Sequence, residues 1–458
     1  MVSFAGLTFI FRFLPVFLVI YYVAPSKYRD MVLLFGSYVF YAVGEPYFIG
    51  LLMLMTLLNY FAGKKMKEFS EGFEIHDWQK IKQKKILIAI VAMDVAVLVL
   101  FKGLSAFVDN SLLPLGISFY IFKMISYQAD LYRGEIVGKQ DLRSTALYFS
   151  LFPQVVSGPV MRYGEGEYGE ERSCSLEQFE DGLKYFVAGL GMKVLLADRL
   201  AILWNDLQMI GFQSISTPLA WLGAAGYSLQ LYFDFWGYSL MSSGLLVMLG
   251  FDFIENFHHP YASRSIGEFY RRWHMTLGSF FRDYVYIPMG GSRCRKSRLI
   301  LNLAVVWVLT GIWHGNGINF VIWGLLLGVL IILEKLIYGK KLSSIPVLGN
   351  LYVLLLIPLS WMVFAITDLK QLGIYLGRLF PFIGGTGIAV NTQDIVKYVQ
   401  DYGIFFVAGI LLCVPPVFDF LEKHRKNPVV VLLLFVVFWC CVYFLSCSAG
   451  NPFMYLKF

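Results

Sequence analysis

The stretch Gly311-Ile312-Trp313-His314-Gly315-Asn316-Gly317 stands between two apolar segments, 299–313 and 318–338. Both far ends are basic. Arg293, Arg295, Lys296 and Arg298 precede the first segment, and Lys335, Lys340 and Lys341 close the second. Short loops rich in lysine and arginine stay on the cytoplasmic side of a membrane protein. Two apolar segments with both feet on that side must form a hairpin whose apex lies near His314. The ascending arm, about 15 residues, rises roughly 22 Å. His314 is therefore expected deep in the membrane, toward the outer side. Gly311, Gly315 and Gly317 let the backbone turn and approach a neighbour closely. Irregular backbone at that depth must be buried in protein or line a wet cavity. An ionisable side chain there is a functional-site candidate.

The rest of the chain fits this frame. Of 458 residues, 58% are hydrophobic and 15% charged, where a soluble protein carries about 25% charged residues. Apolar runs recur at 4–23, 31–44, 46–62, 86–102, 112–130, 184–204, 218–248, 299–313, 318–338, 348–367, 402–421 and 428–447. The expectation is an all-α polytopic membrane protein with about 11–12 transmembrane helices. No long polar segment could fold outside the bilayer, so residues 1–458 read as one integral membrane domain. The stretch Leu147 to Val160, broken by Pro153, Gly158 and Pro159, reads as re-entrant, and Leu369 to Phe382 as interfacial. The first apolar run lacks a basic leader and reads as a span. The loop Lys64 to Lys85 holds seven lysines against four acids, and Arg264 to Arg298 holds eight basic residues. With Lys423 to Lys426 these loops should be cytoplasmic, which puts both termini outside. The net charge of +7 sits in these short loops and does not point to nucleic acid. Six cysteines show no zinc spacing, so no metal is expected.

Upstream of the hairpin lies Phe269-Tyr270-Arg271-Arg272-Trp273-His274, followed by Phe281-Arg282-Asp283-Tyr284 and Ile287-Pro288-Met289-Gly290-Gly291. On a helical wheel the aromatics of 269–284 share one arc, with Arg271 and Arg282 opposite and His274 at the boundary. The pattern predicts one amphipathic helix on the cytoplasmic interface. A neutral imidazole suits general-base work on a hydroxyl that attacks an acyl carbonyl. His314 is the first candidate for that role, flanked by Trp313 and Asn316. The alternative is a hydrogen-bonded packing residue. His274 is the second candidate, and it could equally be a solvated residue beside lipid headgroups. Arg293, Arg295, Lys296 and Arg298 are candidates for binding a phosphate-rich donor, although most such runs only set topology. Asp234, inside an apolar span, needs a partner: it could orient a catalytic histidine or pair with a basic group. His258 and His259 are adjacent and point differently, which argues against a shared metal. His76 and His424 sit in basic loops and read as solvated.

Taken together, these motifs resemble the signature of membrane-bound O-acyltransferases, in particular the bacterial branch that includes the alginate O-acetyltransferase membrane subunit. The match includes Phe269 to His274, Phe281 to Gly291 and Thr310 to Gly315, and extends to Phe40 to Pro46, Phe152 to Pro159, Tyr232 to Tyr238 and Asn451 to Phe458. Tyr270 departs from the pattern, which more often has tryptophan there. The resemblance implies a ring of helices around a central tunnel, with a core over about 112–340. It also implies His314 as the invariant histidine and His274 as the second. The implied donor is cytoplasmic acetyl-CoA, with no permanently bound cofactor. The implied acceptor is an extracytoplasmic polysaccharide, reached through a partner of the SGNH esterase-like type. The expected location is the bacterial cytoplasmic membrane. Two other functions fit less of the pattern. One is D-alanyl transfer to teichoic acid from a carrier-protein thioester. The other is a solute transporter or flippase, which broken helices and intramembrane polar groups would also suit.

Overall fold

A computed structural model describes residues 3–69, 77–136, 140–166, 168–169, 172–383, 391 and 393–447. His76 and the Asn451 to Phe458 motif lie outside the described residues. The helices in chain order are α1 (Leu14–Val23), α2 (Ser26–Gly44), α3 (Ile49–Glu68), α4 (Asp77–Phe107), α5 (Ile117–Arg133), α6 (Leu142–Ser150) and α7 (Phe152–Val155). They continue with α8 (Leu176–Gly191), α9 (Asp198–Ile210), α10 (Thr217–Met248), α11 (Ile266–Arg272), α12 (Met275–Phe281), α13 (Lys296–His314) and α14 (Ile318–Leu333). The last are α15 (Gly339–Ser344), α16 (Pro346–Ala365), α17 (Leu369–Leu379), α18 (Asp394–Cys413), α19 (Pro415–Lys423) and α20 (Pro428–Cys447). Among the described residues there is no strand, only an isolated bridge between Phe257 and Trp273. The protein is all-α and polytopic.

Among the described residues six helices are long and apolar enough to cross a membrane: Asp77–Phe107, Lys296–His314, Ile318–Leu342, Pro346–Ala365, Asp394–Cys413 and Pro428–Cys447. The other expected spans are helical too, but shorter, interrupted or richer in polar residues. The run 184–204 is divided by a wide π-type turn at Met192–Ala197. The run 402–421 is corrected: the chain leaves the helical region at Val414, and Pro415 opens a separate helix. Proline lacks the amide hydrogen to continue a helix but suits a first turn.

The chain groups into two compact units, Met1–Phe186 with Ser239–Ile254, and Val187–Tyr238 with Glu255–Phe458. In the first unit, the expected re-entrant stretch is two short helices, α6 and α7. Leu147, Phe149, Phe152 and Val155 there are wholly buried. The first unit also buries Asp94 against Asn59 Nδ2 (2.9 Å), and Gln128 Nε2 against Asn59 Oδ1 (2.9 Å).

In the second unit, the α13–α14 hairpin is as the charge pattern predicts. α13 ends at His314 and α14 begins at Ile318. The two helices touch through glycine. A Cβ on Gly311 would stand 2.4 Å from the Phe320 carbonyl oxygen, and one on Gly324 would stand 2.4 Å from that of Trp307. Backbones can come this close only where no side chain intervenes. Asn319 then ties the hairpin to α16. Its Nδ2 donates to the carbonyls of Val363 (3.2 Å) and Phe364 (3.0 Å), two of the last four carbonyls of α16. Those groups have no partner inside their own helix.

Gly324→Val should lower the unfolding free energy by roughly 1–3 kcal/mol, the usual cost of overpacking. Thermal unfolding in detergent would show it as a lower midpoint. Gly373→Ala, where a Cβ meets nothing within 4 Å, should leave the midpoint unchanged or slightly raised, because alanine favours a helix.

Candidate active site

The site lies wholly within the second unit and begins with a broken helix. The amphipathic run Phe269 to Tyr284 is not one helix, which corrects the sequence expectation. α11 stops at Arg272, Trp273 is extended, and His274 adopts a left-handed conformation (φ 47, ψ 54) before α12 starts. An L-residue with positive φ is uncommon and needs support from its surroundings. That support is a short crossing segment. The His258 N–H donates to the Arg272 carbonyl (2.9 Å), and the Met275 N–H to that of Asn256 (2.9 Å). Trp273 packs against Phe257, Phe269 and Trp361 at ring separations of 5.1, 5.4 and 5.2 Å.

The break turns His274 inward. It is 3% exposed, not at a polar boundary. Its ring meets Phe235 at 4.6 Å and 84°. Burial alone pushes its pKa down from 6.5 to about 3, so it is neutral at ordinary pH. Its Nδ1 lies 3.2 Å from Asn256 Oδ1.

His314, the last residue of α13, is 6% exposed. Its ring sits among Trp313 (4.6 Å), Trp323 (5.0 Å, 90°) and Phe364 (5.2 Å, 83°). The two histidines are closer than a rim and an apex would be. The Trp313 ring centre is 6.3 Å from that of His274 and 4.6 Å from that of His314.

Both line one cavity of about 1080 Å³. Its walls are graded. Trp273, His274, Trp307, His314 and Trp323 are buried, while the Arg282 side chain is 62% exposed and Lys335 is exposed. Arg264, Arg271 and Arg272 line it as well. The cavity therefore has a cationic, water-facing part and an aromatic, buried part. Glu334 is built into the wall and holds α11 in place: its carboxylate accepts the N–H groups of Ile266 (2.6 Å) and Gly267 (2.9 Å).

Several sequence expectations move. Arg271 and Arg282 reach the cavity, but Arg293, Arg295, Lys296 and Arg298 do not line it. Those four occupy the turn before α13 and its first residues, where Arg298 Nε donates to the Met289 carbonyl (3.1 Å). Asp234 pairs with a basic group, one of the two readings its place in an apolar span allows. Lys193 Nζ lies 2.8 Å from its carboxylate and 2.5 Å from that of Asp198, which satisfies a buried charge within the helical packing. Trp313 contacts both histidine rings without lining the cavity, and Asn316 does not line it either. His258 is exposed beside Glu255, while buried His259 bonds Asp419 (3.0 Å). His424 is half-buried and rests on the Phe420 ring.

Sequence reasoning missed Asn256, Glu334 and Asn302. Asn302 is wholly buried and donates to the Gly291 carbonyl (3.1 Å), which anchors the Ile-Pro-Met-Gly-Gly turn to α13. An asparagine one helical turn inside an apolar segment was the available signal.

Buried imidazoles that share a cavity with exposed arginines are chemically suited to proton transfer beside an anionic ligand. Comparison with known proteins gives the class. The model of the MBOAT, membrane-bound O-acyltransferase family matches residues 135–340. A probable alginate O-acetylase of Pseudomonas fluorescens is 38% identical over 383 residues, covering 83% of this chain and 76% of the relative. A peptidoglycan O-acetyltransferase of Helicobacter pylori is 31% identical, covering 70% and 68%. A teichoic acid D-alanyltransferase of Bacillus subtilis is more distant, 29% identical over 51% of this chain and 62% of its own. The chain belongs to the membrane-bound O-acyltransferase family. It is a multi-pass membrane enzyme, and the transporter reading gives way to that.

The neutral His274 has a measurable consequence. Below pH 6.5 the unfolded chain takes up a proton that folded His274 refuses until about pH 3. Its contribution to stability is full above pH 6.5 and declines as the pH falls toward 3. The melting midpoint should therefore drop less between pH 7.5 and pH 5 in His274→Gln than in the wild type.

Proposed function

We propose that this enzyme moves an acetyl group from cytoplasmic acetyl-CoA to a hydroxyl of an extracytoplasmic polysaccharide, with a partner of the SGNH type completing the delivery. The observation that carries this reading is the single cavity that joins an exposed arginine cluster to two buried histidines. Guanidinium groups suit phosphate, and the donor is rich in phosphate. The donor's anionic part would lie along Arg271, Arg272 and Arg282, with its thioester toward the aromatic end. At the carbonyl carbon the acceptor oxygen forms a bond as the sulfur leaves. His314 takes the hydroxyl proton and passes it to the departing sulfur, and His274 assists. No metal is needed, because a thioester is already activated. The names of the relatives that cover most of the chain favour acetate and a glycan. The D-alanyl reading has the weaker coverage.

His314→Ala should abolish surface O-acetylation in cells that express the protein at normal levels, read by base-labile acetate release. Retained acetylation would sink the assignment. Arg271→Ala and Arg282→Ala should raise KM for acetyl-CoA roughly tenfold, as loss of a charge-assisted phosphate contact does. Arg295→Ala should leave it unchanged, because that side chain is off the cavity. An unchanged KM in all three would place the donor elsewhere.

A further inference from the structure

The geometry points to Asn256 as a positioning residue that fixes the tautomer of His274. This rests on the function proposed above and deepens it. Asn256 is 3% exposed and forms no part of the cavity wall. Its Oδ1 gathers three groups: His274 Nδ1 (3.2 Å), the Thr276 N–H (3.2 Å) and the Thr276 hydroxyl (3.0 Å). The backbone N–H of Thr276 can only donate. The atom facing it must be the amide oxygen, because an NH₂ group cannot accept. The same oxygen therefore faces the imidazole, and Nδ1 must carry the hydrogen. A neutral ring then has its lone pair on Nε2.

The Asn256 backbone reinforces this. Its carbonyl accepts the Met275 N–H (2.9 Å), so one residue grips both sides of the left-handed His274. The Phe235 ring at 84° limits rotation of the imidazole. With Nδ1 committed to Asn256, Nε2 is the nitrogen that serves the cavity. His274 is thereby set as a proton acceptor. In assisting His314, it can take up at Nε2 the proton that His314 has drawn from the attacking hydroxyl as the carbon–oxygen bond forms. It can hand that proton on to the sulfur as the carbon–sulfur bond breaks. Neutral asparagine does this without stabilising imidazolium, as a carboxylate would. The charged groups that share the cavity are Arg264, Arg271, Arg272, Arg282 and Lys335 against Glu268 and Glu334, with His314 as the other titratable imidazole.

The test uses membranes from cells expressing the full chain, labelled acetyl-CoA as donor, and thiol release and label transfer as readouts. Asn256→Ala should lower kcat roughly 10–100-fold, within the usual general-base contribution, with KM for acetyl-CoA within about threefold of wild type. Asn256→Asp keeps an acceptor and protects against simple misfolding. Its carboxylate favours imidazolium, so the acidic limb of the rate profile should move to higher pH. Thr276→Val, which leaves the His274 bond in place, should not move that limb. A purely structural role for Asn256 would lower the melting midpoint and leave the pH profile alone. Wild-type kcat in Asn256→Ala, or a wild-type pH profile in Asn256→Asp, would overturn the proposal. His274→Ala separates the two levels. If it is inactive while the Asn256 variants behave as wild type, only the positioning role fails. If it keeps the wild-type rate, the proposed part of His274 in the reaction fails, and the positioning role with it.

Discussion

The backbone contact between α13 and α14 at Gly311 and Gly324 governs the placement of the site. Each glycine faces a carbonyl that a Cβ would crowd at 2.4 Å. Because the helices meet there without side chains between them, the residues beside the contact are brought into register. His314 follows Gly311 by almost one turn, and Trp323 precedes Gly324. Their rings meet at 5.0 Å. Asn319 fixes the same hairpin end to the open carbonyls of α16 and so brings Phe364 beside both His314 and Trp323. One close approach, made by residues with no functional group, thus determines the surroundings of a reactive one.

The second constraint is the interruption at His274. A continuous helix through 269–284 would have kept the amphipathic arc that the wheel predicts. The chain instead leaves the helix at Trp273 and re-enters at Met275, which costs intrahelical hydrogen bonds. The segment 256–258 supplies replacements, through the Arg272 carbonyl and the Met275 N–H. Strain of this kind persists when the surroundings over-determine it. Here the surroundings are the Asn256 clamp on one side and the Trp273 aromatic packing on the other.

This contrast explains what could be read from the sequence. Charge at the feet of 299–338 was enough to give the hairpin, because topology in a membrane depends on loop charge and apolar length. It was also enough to single out His314, since few ionisable residues fall at an apex. The wheel failed at His274 because helical periodicity records which residues are apolar and not whether the helix is continuous. The basic run 293–298 misled for a related reason: loop arginines that set topology look the same as those that bind a ligand. Arg271 and Arg282 reach the cavity because the helix break and the turn held by Asn302 direct them there. Those contacts are between residues distant in sequence. Asn256 and Glu334 could not be recognised for the same reason, as each acts on a backbone segment far along the chain.

The graded cavity also bears on how an imidazole could work without a nearby carboxylate in the manner of a serine-hydrolase triad. Taking up a proton creates a cation in a desolvated place, and the arginines at the entrance raise that cost. Two features act against it. Glu268 and Glu334 share the cavity with the arginines, and Glu268 engages Arg272 at 2.7 Å. Around His314 the rings of Trp313, Trp323 and Phe364 lie within 5.2 Å at steep angles, which sets ring edges against ring faces. An aromatic face attracts positive charge, and the more so when water is excluded. Rings whose faces turn toward an imidazole favour a transient imidazolium more than an aliphatic wall would. A carboxylate would stabilise the charged form in the resting enzyme as well and spend the base before the acceptor arrives. In the proposed reaction, aromatic packing around His314 and a neutral amide at His274 would thus serve one end: each orients an imidazole without itself setting a fixed negative charge against it.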